Sequence, residues 1–137
     1  MTRSTPSRSQ PIPARDLIDA GVLGYRRMVR ERPSLYRITF QRVVPGLEIT
    51  DELAAIRADA FARLELRVQR LADAGTLHGR DARAAAVEFN AMCEGLANAE
   101  LRGGTLRVLR EGEEERAWRD AYESLVAGLA VPAAAGG

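Results

Sequence analysis

Lysine is missing from this 137-residue chain, and cysteine and histidine occur once each, as Cys93 and His78. A single thiol excludes a disulfide framework and a cysteine-based zinc site within one chain, and it suits a reducing compartment. His78 stands in a loop beside Gly79 with no partner motif, the usual setting of a solvated histidine. There is no G-x-S-x-G elbow, H-E-x-x-H pair, P-loop or dinucleotide fingerprint. Glu88 and Glu94 are six apart, on different faces of a helix, and make a poor acid pair. An enzyme is not expected, nor a cofactor or a metal. No apolar run approaches the length of a membrane span, and the N-terminus lacks the apolar stretch of a signal peptide. The expectation is a soluble, cytoplasmic protein.

What is present is globular: 46% apolar and 28% charged residues, in a chain long enough to bury one core without staples. All 20 basic residues are arginine. With 23 alanines and 12 glycines this reflects a GC-rich coding bias, so arginine cannot be read as selected for phosphate. The net charge of +1 gives no global pull toward nucleic acid. Residues 1–48 hold nine arginines against four acids, or +5; residues 111–137 hold two against six, or −4. That gradient is weaker than a DNA-binding footprint.

Residues 1–13 are Ser, Thr, Pro and Arg with little to bury, a disordered tail or linker remnant. From Ala14 to Arg32, Leu17, Gly21, Tyr25 and Met28 share a helical face, with Ile18, Val22 and Val29 beside them. Asp16, Asp19, Arg26, Arg27 and Arg30 take the other face. Pro33 ends this helix and opens a short one, Ser34 to Val43, stopped by Pro45-Gly46. Thr50 is placed as an N-cap, with Asp51 and Glu52 in the first turn. The helix it opens runs to Ala74 on a stripe of Leu53, Ile56, Ala60, Leu64, Val68 and Leu71, and Gly75 stops it. Asp81 caps a fourth helix that reaches Arg102, Ala-rich on several sides, before Gly103-Gly104. A last helix spans Glu113 to Ala130, with Trp118, Ala121, Tyr122, Leu125 and Leu129 on one face. Residues 14–130 thus read as one all-α domain of five helices, followed by a flexible tail over 131–137.

Three stretches resemble the C-terminal domain of TetR-family transcriptional regulators, in the subgroup named for a Trp-His-Gly motif. They are GYRRMVRERPSLYRITF (Gly24 to Phe40), LADAGTL (Leu71 to Leu77) and AAAVEFNAMCEGLANAELRGG (Ala84 to Gly104), followed by an amphipathic helix ending near AGLA. The likeness covers roughly residues 15–130. Asn90 stands where the subgroup's Trp would be and Glu94 where its His would be; Gly95 is retained. The family's N-terminal helix-turn-helix has no counterpart, since 13 residues at about 1.5 Å each cannot build one. The resemblance therefore implies a five-helix antiparallel bundle whose last two long helices form a four-helix interface with a second copy. It also implies a small-molecule effector in the bundle, and contact with DNA only through a head outside this chain, with no membrane partner. Binding would shift the helices, with the Pro33 joint as the transmitting hinge.

Under that resemblance, Gly95, Trp118, Tyr122, Leu125 and Leu129 are the expected dimer-interface residues, although the same stripe could simply cover its own core. Gly95, costly in mid-helix by about 1 kcal/mol, suggests a close approach by a helix or ligand. Tyr25, Met28, Tyr36, Phe40, Phe61, Phe89 and Met92 are the natural apolar walls of a pocket. Asn90, Glu94 and Asn98 recur at i, i+4 and i+8 as a polar line. They fit either a pocket wall, with Glu94 favouring a cationic or hydroxylated ligand, or a network between helices or subunits. Cys93, inside a helix, reads as an inert small hydrophobe. A second function class is a stand-alone helical protein that heterodimerises with a full-length regulator and modulates it.

Overall fold

The computed structural model of the protein describes residues 12–38, 50–103, 108–110 and 112–131. Regular structure in them is helical: α1 (Ile12–Asp19), a π-helical stretch (Ala20–Tyr25), α2 (Arg26–Glu31), α3 (Pro33–Tyr36), α4 (Asp51–Asp73), α5 (Ala82–Arg102) and α6 (Glu114–Leu129). The first three run on unbroken, so the described residues form five helical rods. Most of the expected tails, the Pro45-Gly46 stop and Phe40 lie outside the described residues.

The local signals explain the boundaries. Thr50 Oγ1 accepts the Leu53 N–H at 3.2 Å, and Asp81 Oδ2 accepts the Ala84 N–H at 3.0 Å. Each satisfies one of the donors left over in a first helical turn. After α4 the chain closes a Schellman turn: Gly75 N–H donates to Ala72 O and Thr76 N–H to Leu71 O, both at 2.9 Å. Gly75 takes φ +79°, which only glycine adopts without strain. Pro33 is the first residue of α3, where its missing N–H costs nothing.

The core gathers Leu17, Ile18, Val22 and Val29 from the first rod and Tyr36 from α3. Val68 and Leu71 come from α4, Ala86, Phe89 and Ala97 from α5, and Trp118, Tyr122 and Leu129 from α6. α5 and α6 run antiparallel, as the pairing of Arg80 with Val131 and of Phe89 with Tyr122 requires.

Two features depart from the sequence reading. The first rod is not a uniform α-helix: Arg26 N–H donates to Gly21 O, an i to i+5 bond, around a wider π turn. Arg26, expected on the polar face, is buried, and its Nε donates to Glu100 Oε1 at 2.9 Å with Glu115 at 3.8 Å. A buried guanidinium is tolerable because two carboxylates, both remote in sequence, face it. The second departure is in α4. Val68 and Leu71 are buried, but Ile56 and Ala60, earlier on the same apolar stripe, are exposed. The first half of that stripe faces a cavity.

Candidate ligand-binding cavity

A cavity of ≈ 760 Å³ lies between the first half of α4 and the wall made by the first rod, α3 and α5. Leu17, Met28, Leu35, Phe61 and Leu64 supply its apolar lining, and Gly21 and Gly24 keep the π turn low on one side. A volume of this size suits a drug-sized molecule, and a largely apolar lining with a few polar groups is typical of such sites.

Its polar groups form two clusters. On one side the hydroxyls of Tyr25 and Tyr36 hydrogen-bond at 2.6 Å, with their rings edge-on and centroids 5.6 Å apart. Burial, followed by the Tyr36 hydrogen bond, holds the Tyr25 phenol well above its ordinary range. Burial likewise raises Tyr36, with the Glu94 carboxylate adding to the effect. The Tyr122 hydroxyl and the Cys93 thiol are hydrogen-bonded to each other. Burial raises both, the thiol to about 11. All four groups therefore stay protonated and neutral at physiological pH, able to donate as well as accept. Nearby, Asn90 Nδ2 donates to Glu94 Oε1 at 3.2 Å. On the other side α4 contributes Arg57, Asp59, Arg63 and Arg67.

The expected site residues divide. Tyr25, Met28, Tyr36, Phe61, Asn90 and Glu94 all line the cavity. Phe89 does not: it is fully buried and stacked on Tyr122, centroids 6.0 Å apart. Met92 packs half-buried against the core, and Asn98 stands outside the lining, because eight residues of helix rotate it about 80° from Asn90. Phe40 is beyond the described residues.

The expected interface residues divide too. Trp118, Tyr122 and Leu129 are turned into the chain's own core, so these side chains are not presented outward. Tyr122 instead seats its ring against Gly21, where a Cβ would stand only 2.6 Å from Cε1, and it lines the cavity. Leu125 is half-buried at the core's edge. Gly95 is exposed, and a Cβ built on it meets nothing within 4 Å. The close approach expected there is not made within the chain.

Sequence reasoning missed Tyr122 as cavity wall, since its facing depends on how α6 is rotated against the first rod. It also missed Arg57, which looks like any solvated arginine on α4. Among the described residues no group of three or more His, Cys, Asp or Glu is placed to hold a metal ion, and no helix is long and apolar enough to cross a membrane.

The sequence profile of the tetracyclin repressor-like C-terminal domain matches residues 18–127. The chain belongs to that family. The match runs from the last two residues of α1 through most of α6, and so covers at least part of every helix that bounds the cavity. Neither a curated protein nor a solved structure matches the TetR-like chain.

Proposed function

We propose that this TetR-like domain binds a small-molecule effector in the cavity between α4, the first rod and α5. It is a regulatory module of a transcription regulator and carries no catalytic activity of its own. The observation that carries the reading is the cavity itself: ≈ 760 Å³, apolar in the main, with neutral phenols and a thiol on its wall. Binding would act on the π turn, whose Ala20, Gly21, Gly24 and Tyr25 all line the cavity, and through it on α1. In a full regulator that rod would carry the motion toward a DNA-reading head, in the cytoplasm.

The same reading includes a homodimer, by a surface other than the buried α6 stripe. The flank of α5 that meets α4 is marked by Arg83 beside Glu65, and the flank of α6 that meets α1 by Arg119 on Asp19. Clear of these contacts stand the exposed Ala84, Ala91 and Gly95 of α5, and Ala121, Ser124, Leu125 and Gly128 of α6, at helical spacing. Gly95 and Gly128 have open space where a Cβ would be, so another pair of helices could approach closely.

The test of the effector reading is a thermal shift with the neutral apolar dye phenylnaphthylamine. Binding to the native state alone raises the Tm. Gly24→Phe, which has room to project into the cavity, should abolish the shift; a shift that survives it places the dye elsewhere. Ala91→Arg should convert a dimer to a folded monomer in sedimentation velocity. A native chain that sediments as a monomer at high micromolar concentration contradicts the dimer.

A further inference from the structure

We infer that the molecule this cavity takes is an apolar monoanion, with Arg57 as the residue that pairs its charge. The inference rests on the reading of the cavity as an effector site and adds the ligand's charge to it.

The argument follows the charges on the wall. Five ionised side chains line the cavity: Arg57, Asp59, Arg63, Arg67 and Glu94. Arg63 is matched inside the chain by Asp59 at 3.0 Å. Arg67 has Asp16 as a counter-charge at 3.6 Å, shared with Arg70, although its buried Nε makes no hydrogen bond. Glu94 is exposed, and the Asn90 amide already donates to one of its oxygens. Water can satisfy the rest of a carboxylate in that position. Arg57 differs from the other four: it is half-buried in the cavity wall and has no ion-pair partner among the described residues. A cation withdrawn from water without a counter-charge is the group that gains most from an incoming anion. The apolar lining of Leu17, Met28, Phe61 and Leu64 then takes the ligand's body. This reverses the polarity expected from Glu94 in the sequence, because that carboxylate is solvated while Arg57 is partly withdrawn from water.

A guanidinium offers a planar fork that fits a carboxylate or sulfonate with two parallel hydrogen bonds. Phosphate monoesters carry more charge than one arginine without a counter-charge balances. The neutral Tyr25 and Tyr36 phenols add polarity to the wall without contributing charge.

The experiment compares two dyes on the full chain by fluorescence titration. Anilinonaphthalenesulfonate is anionic; phenylnaphthylamine has the same ring system without the sulfonate. At low ionic strength the anionic dye is expected to bind roughly tenfold more tightly, the size of one partly desolvated charge-assisted contact. Arg57→Gln should bring the two affinities together by weakening the anionic dye far more than the neutral one, and Arg57→Lys should keep most of the preference. Salt supplies a readout that needs no variant: the preference should shrink as ionic strength rises, and the neutral dye should not respond. Equal affinities in the native chain, or a preference untouched by Arg57→Gln and by salt, would overturn the inference. If the neutral dye binds and the sulfonate gains nothing, the cavity reading stands and the anion does not. If neither dye binds, the effector reading falls first.

Discussion

Gly21→Ala puts one methyl group where the Tyr122 ring now lies. The built Cβ would stand 2.6 Å from Cε1 of that ring, a separation real Cβ atoms do not keep. The ring cannot yield cheaply, since it is stacked on Phe89 at 6.0 Å and hydrogen-bonded to Cys93 inside the core. Overpacking of this kind costs about 1–3 kcal/mol, and loss of the Cys93 bond adds about 1 kcal/mol. Against this stands the gain of about 1 kcal/mol when a helical glycine becomes alanine. The expected net is a loss of about 1–3 kcal/mol, several degrees of Tm in a domain of this size. Gly24→Ala, three residues on with nothing within 4 Å, is the internal control and should stabilise by about 0.5–1 kcal/mol. Urea unfolding of both variants, repeated in a Tyr122→Ala background, isolates the contact. There Gly21→Ala should change sign and become stabilising. If Gly21→Ala stabilises the native chain as much as Gly24→Ala does, Tyr122 does not sit on the π turn and the packing argument fails.

Other consequences are as specific. Arg26→Gln leaves Glu100, mostly buried, without its cation and should cost about 3 kcal/mol in urea unfolding, far more than Arg27→Gln at its exposed pair with Glu31. Thr50→Ala and Asp81→Ala each remove an N-cap and should cost about 1 kcal/mol each, additively, by the same measurement. Cys93, raised to about 11 by burial, should react with an aromatic disulfide reagent at pH 8 at least ~100-fold more slowly than in the urea-unfolded chain. Because its native pKa is raised, the stability it contributes is complete below the ordinary thiol range and is lost as pH climbs toward about 11. A midpoint of urea unfolding that rises over that interval would contradict the assignment.

How far the sequence discloses this molecule depends on the range over which each feature is decided. Thr50, Asp81, Gly75, Gly103 and Pro33 act on neighbours within a few residues, and they place the start of α3 and both ends of α4 and α5 within a residue or two. The π turn has no such local signature. Its Gly21 is crowded by Tyr122, about a hundred residues further on, and no periodicity in AGVLGY announces it. Arg26 is similar: it reads as surface until Glu100 and Glu115 are brought beside it. The apolar stripe of α4 was visible, but a cavity wall and a core face are built from the same residue types. Only the facing helices show that Val68 meets protein while Ile56 borders open space. Tyr122 and Arg57 could not be assigned for a related reason, because both depend on helix rotation, which spacing alone does not set.

The most direct test of the central claim is a heteronuclear NMR titration of the chain with phenylnaphthylamine. Bound dye in the cavity predicts saturable shifts at Gly24, Tyr25, Met28, Phe61 and Leu64, with the amides of Ala91, Gly95, Ala121 and Gly128 left in place. Shifts confined to those α5 and α6 positions, or none up to the solubility of the dye, would contradict an effector site between α4 and the first rod.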